Sequence, residues 1–274
     1  MADELTPPEI REETVKLALK IASICEENAI HWFAFYGTLL GAVRHQGFIP
    51  WDDEFDIAML RQDFDRFVEY CRRHEEELLA DGYRLIDKDS AADYPYNIPR
   101  FCNIHFRMVT PEYPSAGMGV FVDLYPLDSV GDDPDVAEKR IAWKKKLFTI
   151  CAASASLHKP IETRGGVVQK LLKAALYLYA KDKEPRFFFK RFDRLAQMFP
   201  QGGKYVSCVV WEMDFCAYPK AWFEDLIDAP FEDITVKIPR AYDSVLRAYY
   251  GDYTRLPPKE ERVPTHDYKL YRLI

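Results

Sequence analysis

The sequence predicts an α+β protein, with helices alternating with short strands in its front half and a helix-rich back half. Apolar residues recur at helical spacing over 8–29 and again after Asp63. Short aromatic or β-branched runs at 31–36, 55–60 and 120–124 are punctuated by Gly or Pro, as strands are. From residue 135 onward the helical period dominates, over 135–158, 166–182 and 186–198. The 274 residues, 48% of them hydrophobic, suffice for one large domain or two small ones. The expected division is a core over 1–130 and a helical region over 131–274 that completes the active site.

In order, Ile10, Val15, Leu17, Leu19, Ile21 and Ile24 line the first helix. The run His31 to Tyr36 suits a strand, which Gly37-Thr38 ends. Leu39 to Arg44 reads as a short helix, 46–50 as a loop and Phe55 to Leu60 as a second strand. Asp63 can cap the next helix, which Gly82 terminates. Tyr83 to Asp87, Phe101 to Val109 and Val120 to Leu124 are strands, and Pro126 is expected to stop the last of them. A final helix covers 243–250, ahead of a Pro-rich end.

Charge narrows the function. A net charge of −7 excludes general nucleic-acid binding. It is unevenly spread: residues 139–194 carry fifteen Lys and Arg against four Asp and Glu, a net of +11, which leaves −18 elsewhere. That basic stretch offers either solvated helix faces or a face for peripheral contact with an anionic membrane. No apolar run is long enough to span a bilayer, and the acidic start lacks a signal core, so a cytoplasmic location is expected. The six cysteines form no CxxC pair, which argues against zinc knuckles, and are expected to be free thiols.

The chemistry concentrates in Trp51-Asp52-Asp53-Glu54-Phe55-Asp56-Ile57. Glu54 and Asp56 stand two apart on a strand edge, so both carboxylates face one side while Phe55 and Ile57 face the core. So many acids together repel unless a cation neutralises them, and oxygen-only donors suit Mg²⁺ or Mn²⁺. Asp123, alone in the apolar run Val120 to Tyr125, is the natural third ligand. The competing reading is a solvated acidic turn. The Gly37-Thr38 turn weighs against it, because a small-residue turn opening a helix offers N–H groups to a phosphate.

These residues resemble the LicD family of phosphorylcholine transferases, related to fukutin-type proteins. The resemblance lies in Tyr36-Gly37-Thr38-Leu39-Leu40-Gly41-Ala42-Val43-Arg44-His45, in Gly47 to Ile57, in Gly119 to Asp128, and in Tyr249-Tyr250-Gly251-Asp252-Tyr253 with Arg262 and His266. It implies a nucleotidyltransferase-like fold, a small mixed sheet flanked by helices. It implies metal ligation by Glu54, Asp56 and Asp123 and phosphate binding at Gly37 and Thr38. Glu54 departs from the family's usual Asp, so the division of roles among Asp52, Asp53 and Glu54 stays open.

The implied reaction moves phosphorylcholine from CDP-choline to a glycan hydroxyl, lipid-linked in one version, and releases CMP. Asp53 or Asp123 would accept the hydroxyl proton. Arg44, Arg100, His45 and His266 would face the phosphates. Trp51 and Tyr125 would hold the choline, a cation with no hydrogen to donate. The alternatives are nucleotidyl transfer, transfer of an aminoethyl or polyol phosphate or a phosphonate, and a metal-free binding protein. The acceptor is expected among lipopolysaccharide, teichoic acid and other cell-surface glycans.

Overall fold

The computed structural model describes residues 3–111, 113–161, 166–211, 215–263 and 268–273. The fold is α+β, as the sequence predicts. Its elements, in chain order, are β1 (Asp3–Glu4), α1 (Pro7–Glu27), β2 (Phe33–Ala34), α2 (Tyr36–His45), β3 (Asp56–Leu60), α3 (Arg61–Arg73), α4 (Glu75–Ala80), β4 (Tyr83–Ile86), β5 (Arg100–Asn103), β6 (Phe106–Val109) and β7 (Val120–Gly131). There follow α5 (Pro134–Leu157), α6 (Val167–Ala180), α7 (Pro185–Ala196), β8 (Tyr205–Ser207), β9 (Tyr218–Pro219), β10 (Leu226–Phe231), β11 (Ile234–Pro239), α8 (Tyr242–Tyr250) and β12 (Lys269–Arg272).

The central sheet runs β2-β3-β7-β5-β4, with β3 and β7 parallel and the other neighbours antiparallel. β8 extends it by pairing with the far end of β7. The strands are apolar on both faces because helices cover them: Ile57, Ala58, Val122 and Leu124 are buried. α1 presents Ile10, Val15, Leu17, Ala18, Ile21 and Ile24 to the core at helical spacing. Its first turn is closed by the Glu9 carboxylate, which accepts the Thr6 N–H at 2.8 Å. α5 starts where Asp133 accepts the N–H groups of Asp135 and Val136, with Pro134 in the first turn.

Four local expectations are corrected. Pro126 does not stop β7. The Asp123 N–H points to β3, bonding the Phe55 carbonyl, and the Leu124 N–H points the other way, to the Pro99 carbonyl. By alternation the hydrogen that Pro126 lacks would point to the β5 side, where β5 has already ended, so no ladder bond is lost. The Phe101 to Val109 strand is broken by a turn at Ile104-His105, and β6 joins a second sheet, β1-β12-β6. Asp63 does not cap α3 but sits inside its first turn, paired with Arg66. The back half also carries the β10–β11 hairpin, which the helical reading omitted.

The main core draws on both halves of the chain. Phe33 stacks on Phe223 at 5.0 Å and Phe55 meets Phe231 edge-on at 5.1 Å. A smaller core beneath the second sheet gathers Ile10, Ile86, Met108, Phe121 and Leu270.

Candidate active site

Two strand ends bring the acids together. Asp56 opens β3 and Asp123 lies in β7, and the parallel register sets them side by side. Glu54 lies two residues before the start of β3. Oxygens of Glu54, Asp56 and Asp123 all lie within 4.8 Å of one another. Asp56 and Asp123 are buried and Glu54 half-buried. Burial raises the Asp56 carboxyl well above its ordinary value, and the charges of Glu54, Asp123 and Asp52 raise it further. Protonation or a bound cation would relieve this repulsion, and an all-carboxylate set is of the kind that Mg²⁺ and Mn²⁺ take.

The Gly37-Thr38 pair serves Asp56 directly. The Gly37 N–H donates to Asp56 Oδ2 at 3.2 Å, and Thr38 Oγ1 accepts the Asp56 N–H at 2.7 Å. Gly37 and Thr38 lie in the first turn of α2, whose unpaired N–H groups favour a carboxylate there. A side chain at position 37 would stand 2.8 Å from Asp52 Oδ2, which explains the glycine. Just before it, Tyr36 adopts φ +39°, a left-handed conformation that costs on the order of 1–3 kcal/mol for a residue with a Cβ. Rings on three sides hold it there: Phe35 at 4.3 Å, and Tyr125 and Tyr249 each at 4.9 Å.

Arg100 faces Asp123. Its Nε donates to Asp123 Oδ1 at 2.7 Å and Nη2 to Oδ2 at 3.4 Å. The guanidinium is buried between the Tyr96 and Phe121 rings, at 3.9 and 3.7 Å. Tyr125 hydrogen-bonds Asp56, and its hydroxyl is raised by burial and then by the Asp56, Asp123 and Glu54 charges. Asp53 is half-buried near Tyr268, whose hydroxyl is raised by burial, Asp53 and Glu54.

On the loop side, Arg44 Nε meets His45 Nε2 at 3.0 Å, and Arg44 Nη1 donates to the Tyr253 carbonyl at 2.9 Å. His45 lies edge-on to Trp51, and Arg262 approaches the same indole at 5.7 Å. Burial and the Arg44 charge lower the His45 imidazole. Arg11 pins the loop from below, donating to the carbonyls of Ile49, Pro50 and Asp52. The β10–β11 hairpin pins it from above: Glu232 Oε1 accepts the Phe48 N–H at 2.9 Å, and the Glu232 N–H donates to the Gln46 carbonyl. His266 lies outside the described residues.

Residues 29–130, which hold all three acids, match the family model for the LicD/FKTN/FKRP nucleotidyltransferase domain. They are a LicD-family nucleotidyltransferase domain. Similarity extends beyond it. The chain is 26% identical over 263 residues to the lipopolysaccharide cholinephosphotransferase LicD of Haemophilus influenzae, with 92% of each chain covered. Shorter matches join it to uncharacterized proteins of Rickettsia typhi, 41% over 59 residues (22% of this chain, 18% of the other), and Rickettsia prowazekii, 54% over 37 residues (14% of each).

A cavity of about 810 Å³ adjoins Tyr96, whose ring stacks on the Arg100 guanidinium that holds Asp123. Helices α5, α7 and α8 and the segments around Tyr96, Tyr113 and Trp211 wall it. Sequence reasoning assigned no role to Trp211, Phe215 or Tyr249. Tyr249 was readable as part of a motif, whereas Trp211 and Phe215 stand in no pattern. Of the aromatics that flank the motifs, Trp32, Phe48 and Tyr94 are core residues.

Proposed function

We propose that this protein is a metal-dependent transferase that moves phosphocholine from CDP-choline to a hydroxyl of a cell-surface glycan. The observation that carries the reading is the Glu54, Asp56 and Asp123 cluster against the Gly37 turn, in a chain matching the Haemophilus cholinephosphotransferase along 92% of its length. The acceptor oxygen attacks the choline-bearing phosphorus, the bond to CMP breaks, and the acceptor proton leaves to a carboxylate. Asp53 is the better base, because Arg100 occupies both oxygens of Asp123. Mg²⁺ or Mn²⁺ held by Glu54, Asp56 and Asp123 would neutralise phosphate charge. Gly37 and Thr38 aim Asp56, and Arg100 aims Asp123. Arg44 and Arg262 would supply positive charge on the loop side, where a diphosphate needs it, and the neutral His45 ring would offer a hydrogen bond.

The test is incubation with CDP-choline, Mg²⁺ and lipopolysaccharide or teichoic acid fragments, followed by mass analysis. Release of CMP with a glycan heavier by one phosphocholine is expected. A nucleotidyl adduct, or no turnover with every CDP-linked donor, overturns the reading.

A location at the cytoplasmic face of an anionic membrane, where a lipid-linked acceptor would lie, fits α6. Val167, Val168, Leu171, Leu172 and Leu178 are 59–79% exposed, and Ala180 alone in that helix is buried. Lys170 and Lys173 lie among them and Lys181 and Lys183 follow, so apolar and cationic groups share one surface. Among the described residues no helix is long and apolar enough to cross a membrane, so this contact would be peripheral.

A further inference from the structure

The 810 Å³ cavity has a chemistry of its own. Its wall is ringed by Tyr96, Tyr113, Phe192, Trp211, Phe215 and Tyr249. Among the described lining residues there is no carboxylate, lysine, arginine or histidine. Two of the lining rings are partly solvent-exposed: Trp211 is 39% exposed and Tyr249 43%. Leaving that much aromatic surface in water is costly, which points to an occupant.

The cavity is also joined to the acids through single ring contacts. Trp211 lies 5.9 Å from Tyr125, which hydrogen-bonds Asp56. Tyr249 lies 4.9 Å from Tyr36, the residue before the Gly37 turn. Tyr96 carries the Arg100 guanidinium that holds Asp123. The cavity wall is thus packed against the residues that hold the acids, through Tyr125, Tyr36 and Arg100.

We propose that this aromatic cavity, with Trp211 and Tyr249 as its principal faces, is the subsite for the quaternary ammonium of the transferred group. It rests on the phosphocholine reading above. A primary ammonium brings three N–H donors that need acceptors when buried, and carboxylates are the usual ones. A quaternary ammonium has none to satisfy and is held by ring faces alone. Trp51, chosen from the sequence for its nearness to the acids, sits instead edge-on to His45 and under the Arg262 guanidinium, whose charge repels a cation.

The experiment is calorimetric titration of wild type, Trp211→Ala, Trp211→Phe and Tyr249→Ala with CDP-choline, CDP-ethanolamine and CMP in the presence of Mg²⁺. Wild type is expected to favour CDP-choline over CDP-ethanolamine. Each alanine variant is expected to bind CDP-choline about tenfold more weakly while binding CMP as before, and Trp211→Phe to retain most of the affinity. Equal loss of CDP-choline and CMP would make this the nucleotide's cavity and overturn the proposal, as would no loss at all. If wild type binds CMP but not CDP-choline, the phosphocholine reading itself falls. The cavity is then judged separately with fluorotryptophan-labelled protein, the Trp211 resonance being assigned with Trp211→Phe. A shift with choline and tetramethylammonium but not ethanolamine sustains the subsite, and its absence overturns it.

Discussion

Asp56 and Asp123 are held by different devices, and their neighbours should fail differently. Asp56→Asn keeps an oxygen for the Gly37 N–H but removes the charge, so Mn²⁺ affinity and turnover should both drop by roughly 10²-fold or more while the thermal midpoint holds or rises. Titration with Mn²⁺ and a melting curve would read both. Arg100 touches Asp123 and stands behind it, so it is a positioning residue. Arg100→Lys keeps a charge but loses the two-point grip, and about 10–100-fold in metal affinity should go with it. Arg100→Ala should be worse in a distinct way: it strands a buried carboxylate, which costs about 3–5 kcal/mol of folding stability in urea. Gly37→Ala makes the sharpest contrast. Alanine favours a helix by roughly 1 kcal/mol over glycine, yet its Cβ would meet Asp52 Oδ2 at 2.8 Å. Turnover should fall while stability is kept, and a parallel loss of stability would refute this account of the glycine.

Between elements, side-chain ties decide whether the acid loop is held. The β10–β11 hairpin reaches back to the 46–50 loop through the Glu232 carboxylate as well as the Phe231 ring on Phe48, so Glu232→Ala should cost only about 1 kcal/mol of stability but lower activity measurably. α3 is tied to β7 by a buried pair: Arg61 Nε and Nη2 donate to Asp128 at 2.7 and 2.9 Å. Burial raises the Asp128 carboxyl even with Arg61 beside it. A carboxyl raised in the folded state favours folding while protonated, so Arg61→Met, which removes the opposing charge, should make stability fall as pH rises through the Asp128 pKa. Urea midpoints across a pH series would show that slope, and a flat profile would contradict it. For α6, Leu171→Glu with Leu172→Glu should abolish sedimentation with phosphatidylglycerol vesicles and leave turnover on a soluble acceptor unchanged.

Across the molecule, the LicD domain does not own its core. Phe33, Phe35, Phe48 and Phe55 pack on Tyr218, Phe223 and Phe231 from the back half. Both ends of the chain also meet in the β1-β12-β6 sheet, where Leu270 is buried. Residues 1–130 expressed alone should therefore fail to fold cooperatively, which the absence of a sigmoidal urea transition would show. The same sharing builds the cavity, because Tyr96, Asn97 and Tyr113 come from the front half while α5, α7, α8 and Trp211 supply the rest of its wall.

Periodicity and local composition alone determined the class of fold, the positions of the larger helices and the central strands, and the acidic segment that holds Glu54 and Asp56. These are short-range properties: spacing along the chain dictates which side chains share a face. Asp123 was legible too, as one acid in an apolar run. The β10–β11 hairpin was readable in the alternation of Ile234, Val236 and Ile238, but the helical bias of the preceding hundred residues masks it. Other assignments needed the tertiary structure, because they depend on which distant residue stands opposite. It set Asp56 beside Asp123, gave Arg100 to Asp123 rather than to open space, and spared Pro126 a missing ladder bond. It also packed Trp211 on Tyr125 and Tyr249 on Tyr36 from far along the chain, and no spacing rule connects those pairs.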